Sequence, residues 1–105
     1  MIGALSFTLS RANGSTVIAV AGEIDGATAP ELDGALRHFE RESVTVDLSG
    51  VTFIDSSGLG TLVEAQKRIS VAGGRLTVTG SQPNVRRVLE TNRLGGMFRA
   101  HETAV

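Results

Sequence analysis

The chain of 105 residues has no cysteine, no tryptophan and no tyrosine. Without cysteine, a disulfide framework, thiolate chemistry and thiolate-ligated metal are all excluded. Its 4 phenylalanines are the only aromatics, so the core has to be aliphatic. Histidine is also scarce, and only His38 and His101 are present. A serine nucleophile needs a base within hydrogen-bond reach. His38 falls on the polar side of a predicted helix and His101 in the tail, so neither is placed to serve. No apolar run approaches the length of a membrane span, and the N-terminus lacks a charged region followed by an apolar one. The formal net charge is −1 and there is no basic run, which argues against nucleic-acid binding through phosphate neutralisation. A cytoplasmic location, with neither membrane nor nucleic acid as partner, is the expectation.

What is present describes one ordinary globular domain. Hydrophobic residues make up 41% and charged residues 20%, and the length suits one core rather than two. We expect a single domain over 1–105, with its core at about 5–98 and a short tail at 99–105. No repeat, linker or low-complexity segment interrupts it.

The order of elements reads as α/β. Leu5, Phe7 and Leu9 alternate with Ser6, Thr8 and Ser10, as in a half-buried strand. Asn13-Gly14 is a hairpin signal because both residues tolerate positive φ. Thr16 to Ala21 is apolar on both sides and reads as an interior strand. Thr28-Ala29-Pro30-Glu31 has the form of a capping box with proline in the first turn. Leu32, Ala35, Leu36 and Phe39 follow at helical spacing, with Asp33, Arg37, Glu40 and Arg41 on the wet side. Val44, Val46 and Leu48 predict a third strand that ends in a turn at Ser49-Gly50. A second helix is predicted from about Ser56 to Ala72, closed by Gly73-Gly74. Leu76 to Thr79 predicts a fourth strand, parallel to the third because a helix joins them. Ser81 would cap a third helix carrying Val85, Val88 and Leu89 inward, with Leu94 sealing its end. Met97 to Arg99 would form a last short strand.

The central stretch is Val51 to Leu62, V-T-F-I-D-S-S-G-L-G-T-L. Its apolar run breaks at Asp55-Ser56-Ser57-Gly58, and helical spacing follows through Leu59, Leu62, Val63, Gln66 and Ile69. Asp55 or Ser56 can cap that helix. Gly58 and Gly60 would leave its first turn bare enough for another protein to approach. The two hydroxyls sit where amide groups and the helix dipole favour an anion, so a phosphate on Ser56 or Ser57 would be tolerated. Taken alone, D-S-S-G is what any well-capped helix carries. The stretch is not G-x-S-x-G, and Gly58-Leu59-Gly60 lacks the lysine and the length of a phosphate loop, so hydrolase and nucleotide-binding readings are poorly supported. Asp25, Asp47 and Asp55 are scattered single carboxylates, weak evidence for magnesium. We expect no catalytic residue, no metal and no cofactor.

Three segments together carry a resemblance. They are Gly22-Glu23-Ile24-Asp25, then Val46-Asp47-Leu48-Ser49 running into Phe53-Ile54-Asp55-Ser56-Ser57-Gly58-Leu59-Gly60, and Gly73-Gly74-Arg75-Leu76. In order and spacing, over roughly Leu5 to Phe98, the chain resembles the STAS-domain anti-sigma factor antagonists (anti-anti-sigma factors). The resemblance implies a single STAS domain, with an antiparallel first pair of strands, a mixed sheet of four or five strands, and helices mainly on one side. It implies a phosphorylation switch as well. An anti-sigma factor that is itself a serine kinase would bind over the N-terminus of the second helix and phosphorylate Ser56. A PPM-type phosphatase would reverse the step, and any Mg-ATP would belong to the kinase. Asp55, Ser57 and Gly58 would frame the phosphosite, and Asp25 is expected beside Ser56. Thr28, Gly60, Thr61 and Glu64 would lie on the docking face, near Lys67 and Arg68, although a solvated helix surface carries such residues too. The free protein is expected to be a monomer. Related proteins commonly carry a further C-terminal helix, and this sequence stops near where it would begin. A second reading keeps the fold without the switch, as an unphosphorylated scaffold subunit of a lipid-transporting ABC complex or signalling assembly; the intact serine at 56 favours the switch.

Overall fold

The computed structural model describes residues 4–12, 14–39 and 43–91. Strand β1 (Ser6–Ala12) pairs with β2 (Ser15–Ile24) as a hairpin, with Ala12 opposite Ser15 and Gly14 at φ 81°. Helix α1 (Ala29–Leu36) and a 3-10 turn (Arg37–Phe39) lead to β3 (Ser43–Ile54). Helix α2 (Ser56–Val71), β4 (Arg75–Thr79) and α3 (Pro83–Thr91) complete the described chain. The sheet order is β1-β2-β3-β4; the first pair is antiparallel and the other two are parallel. The mixed sheet therefore has four strands among the described residues. The expected strand at 97–99 and the seal at Leu94 lie outside them.

One face of the sheet is aliphatic. Ile18, Val46 and Val78 stand in register across β2, β3 and β4, and Val44 faces Leu76. These join Leu32 and Leu36 of α1, Leu62 and Ile69 of α2, and Val85 and Leu89 of α3 in one buried cluster. On the other face Thr45 and Thr77 share a 3.2 Å hydroxyl–hydroxyl hydrogen bond and are only half-buried. Helix α2 ends as its glycines predict. Gly73 has φ 97°, and the amides of Gly73 and Gly74 donate to the Ser70 and Ile69 carbonyls.

Three local expectations are corrected. Ser49-Gly50 does not end the third strand; β3 runs on to Ile54. It advances from Asp47 to Gly50 while β2 advances only from Ala19 to Ala21, and it slips again between Val51 and Phe53. Each bulge resets the alternation, so Leu48, Val51 and Ile54 all point inward. Glycine is needed there because a β-carbon at position 50 would stand 3.0 Å from the Ala21 side chain. The capping box at Thr28 does not form either. Glu31 Oε1 instead accepts from the distant Leu5 amide at 2.9 Å. On the edge strand, Phe7 packs against the core but Leu9 is 57% exposed, because the aliphatic cluster reaches Leu5 just before the strand and Phe7 within it and goes no further along it.

Candidate functional site

The parallel strands β2 and β3 end side by side at Ile24 and Ile54, and each is followed by an aspartate. After β3, the extended backbone of Asp55 (φ −120°, ψ −169°) makes it the N-cap of α2. Its Oδ1 accepts from the Ser57 amide at 2.9 Å and the Gly58 amide at 3.2 Å, and its carbonyl accepts from Leu59 at 2.9 Å. A carboxylate at this end of a helix also meets the favourable end of the dipole. Ser56 and Ser57 are exposed. The sequence reading placed amides here for an anion, but those of Ser57 and Gly58 already bond to the Asp55 carboxylate. Added negative charge at the serines would therefore meet a fixed carboxylate.

After β2 the corresponding loop closes on itself. Asp25 Oδ1 accepts from the amides of Ala27 and Thr28, both at 3.0 Å. The Thr28 hydroxyl donates to the Glu23 carbonyl at 2.6 Å and accepts from the Asp25 amide at 2.9 Å. Thr28 is only 2% exposed, which removes it from the expected docking face: its hydroxyl knots the loop. The knot joins the other junction through the Asp55 amide, which donates to the Ile24 carbonyl at 3.2 Å. The loop meets the serine pair at Gly26 and Ser57; a β-carbon at 26 would lie 3.7 Å from Ser57 Oγ. Asp25, expected beside Ser56, turns its Oδ1 back into its own loop.

The two glycines of the motif do different work. A β-carbon at Gly58 would come within 2.7 Å of both Ile24 and Ile54 side chains, so its bareness seats α2 on the strand ends instead of admitting a partner. At Gly60 a β-carbon would meet nothing within 4 Å, and this position does leave open surface.

A groove of about 360 Å³ runs between α1 and α2 beside the serines. Ser56, Ser57, Gly60, Thr61, Glu64 and Arg68 line it from α2, with Asp33 from α1 and Arg37 from the 3-10 turn. It gathers most of the residues expected at the phosphosite and docking face. The Thr61 hydroxyl donates to the Ser57 carbonyl at 3.0 Å. Asp33 receives Arg37 Nε at 2.9 Å and Arg68 at 3.5 Å. Asp33 and Arg37 were read from sequence only as wet helix surface. Their i, i+4 spacing was the available sign of an ion pair, whereas Arg68 reaches the same carboxylate only through the fold. His38 is exposed on the 3-10 turn against Phe39 and does not line the groove. Among the described residues, no three His, Cys, Asp or Glu side chains are placed to hold a metal, and no helix is long and apolar enough to cross a membrane.

The family model described as "Mlab, STAS domain" matches residues 7–99. The chain belongs to the STAS-domain family. An anti-sigma-B factor antagonist of Listeria monocytogenes is 36% identical to it over 84 residues, which are 77% of this chain and 74% of that protein. The crystal structure of an anti-sigma factor antagonist from Mycobacterium paratuberculosis superposes with a TM-score of 0.80 at 27% identity, covering 96% of this chain and 86% of that one. The Bacillus cell fate determinant SpoIIAA in its phosphorylated form has a TM-score of 0.67 at 19% identity, covering 94% of this chain and 92% of that one, a likeness of fold alone. The antagonists among these relatives are regulatory binding proteins, not enzymes, in agreement with the reading of this STAS domain's sequence.

Proposed function

We propose that this STAS domain is an anti-sigma factor antagonist. In the unphosphorylated form it binds an anti-sigma factor with serine-kinase activity and so frees the sigma factor; phosphorylation of Ser56 switches that binding off. The observation that carries the reading is the exposed serine pair on the first turn of α2, beside the capping carboxylate of Asp55 and at the mouth of the α1–α2 groove. Ser56 Oγ would attack the γ-phosphorus of ATP on the kinase. The bond to the β,γ-bridging oxygen breaks, ADP leaves, and the hydroxyl proton passes to a base of the kinase. A PPM-type phosphatase would hydrolyse the phosphoserine and reset the protein.

The release follows from charge. Phosphoserine adds about −1.5 to −2 units of charge and three acceptor oxygens. On this surface it joins Asp55 and Glu64, and a docked partner would have to desolvate it among them. A loss of about 3 kcal/mol lowers affinity roughly 10²-fold, since each 1.4 kcal/mol is tenfold. Nothing in this argument requires refolding, because Ser56 is exposed and outside the core. Gly60, Thr61 and Glu64 would contribute to the docking face.

The test is to incubate the protein with candidate anti-sigma kinases and Mg-ATP, then measure intact mass and map the site. One phosphate is expected, lost in Ser56→Ala and retained in Ser57→Ala, with weaker partner binding after modification. Partner binding that persists while no kinase adds phosphate would overturn the switch and leave a scaffold.

A further inference from the structure

The groove beside Ser56 holds a charge cluster that the proposed switch does not use. Arg37 and Arg68 converge on the one carboxylate of Asp33, at 2.9 and 3.5 Å. They are the only cations among the residues lining that groove, and Ser56 and Ser57 line it with them. The two ion pairs differ. Arg37 is 57% exposed and bonds within its own helical turn, the kind of solvated pair that contributes little and is readily exchanged. Arg68 is 21% exposed and ties α2 to α1. Both guanidiniums meet at the same carboxylate, so exposure and the tie between helices, and not position along the groove, set them apart.

A phosphoserine dianion is a stronger acceptor for a guanidinium than a single exposed carboxylate is, because the planar fork of arginine matches two phosphate oxygens. The backbone offers it less competition than a helix N-terminus usually would, since the Asp55 carboxylate already holds the Ser57 and Gly58 amides.

The geometry points to Arg37 as the residue that receives the phosphoryl group on Ser56. Its guanidinium exchanges Asp33 for the phosphate, while Arg68 keeps Asp33 and with it the contact between the helices. This rests on the reading of Ser56 as the phosphosite and adds a part to it. The phosphorylated state is then a distinct arrangement of the groove, with Arg37 drawn across the Gly60–Thr61 surface, and more than the same surface with extra charge. The charged groups around the phosphate would be Asp55 at its own junction, Asp25 in the adjoining loop, Glu64 and Arg68 of α2, and Asp33 and Arg37 across the groove. Arg37 is the cation the exchange requires.

The experiment does not depend on a kinase. Phosphoserine is installed at position 56 during synthesis of the full chain, and its second ionisation is followed by phosphorus NMR through the region of its ordinary pKa, about 6. Pairing with a guanidinium favours the dianion and lowers the midpoint. The expected midpoint of the phosphoprotein lies at least about 0.5 pH unit below that of the same protein carrying Arg37→Gln. Lys67→Gln is the control: this exposed cation of α2 does not line the groove and should leave the midpoint in place. Equal midpoints with and without Arg37, or an equal rise with Lys67→Gln, would overturn the assignment. Failure of every kinase to modify Ser56 would sink the proposed switch without moving this titration, so the two failures are distinguishable.

Discussion

The two junctions that follow β2 and β3 begin alike and end differently. Each leaves a parallel strand at an isoleucine, Ile24 or Ile54, and each next residue is an aspartate whose Oδ1 gathers two amides. In the first, the third residue after the aspartate is Thr28, whose buried hydroxyl closes the loop onto the Glu23 carbonyl. In the second, the corresponding residue is Gly58, and the two residues before it are serines that the helix start leaves exposed. The comparison separates two uses of one local motif. Where the polar group after the aspartate turns inward, the junction is structural; where it is replaced by glycine, the helix sits down on the strand ends and presents the serines outward.

Filling the gap that seats α2 should produce the largest effect. Gly58→Ala places a methyl 2.7 Å from both Ile24 and Ile54, with the Ile24 carbonyl at 3.0 Å, so backbone as well as side chains must shift. Overpacking of this kind costs roughly 1–3 kcal/mol, and we expect the upper part of that range, read as a lower urea midpoint with an unchanged slope. An unaltered midpoint would mean that the close fit at the strand ends is not needed.

Untying the other junction should come next. Thr28→Val keeps the shape but removes the buried hydroxyl that donates to the Glu23 carbonyl and accepts from the Asp25 amide, and should cost about 2 kcal/mol by the same measurement. Asp55→Ala removes a cap that is only half-buried, and should cost about 1 kcal/mol. If the Asp55 change proved the more damaging of the two, the contrast between a knotted and an open junction would be reversed.

Much of this was legible in the sequence because the relevant signals are local. Asn13-Gly14 marked the hairpin, the spacing from Leu59 to Ile69 marked α2, and Gly73-Gly74 marked its end. What escaped depends on contacts between distant residues. Thr28-x-x-Glu31 has the form of a capping box, yet Glu31 is drawn to the amide of Leu5, 26 positions away. Ser49-Gly50 has the composition of a turn, yet the close approach to Ala21 makes it a bulge within a continuous strand. At the site, the serines, Asp55, Gly60 and Thr61 could be picked out from one contiguous motif, with Glu64 on the helix just beyond it. The groove opposite them could not, because Asp33 and Arg37 belong to another element and meet the motif only once α1 packs on α2.

The smallest expected effect has the opposite sign and lies two residues from the largest. A methyl added at Gly60 meets nothing within 4 Å, and glycine inside a helix is less favourable than alanine by up to about 1 kcal/mol. Gly60→Ala should therefore raise stability, by about 0.5 kcal/mol after allowance for its half-exposed position near the helix start. The fold has no use for this glycine, since its φ is not positive and no neighbour crowds it. If the bare surface there is where the partner approaches, the same substitution should weaken anti-sigma factor binding while it strengthens the domain, measured by calorimetry on one preparation against Ser56→Ala as reference. A variant that gained stability and bound as tightly as before would leave Gly60 outside the docking face, and would confine that face to the serines and the far side of the groove.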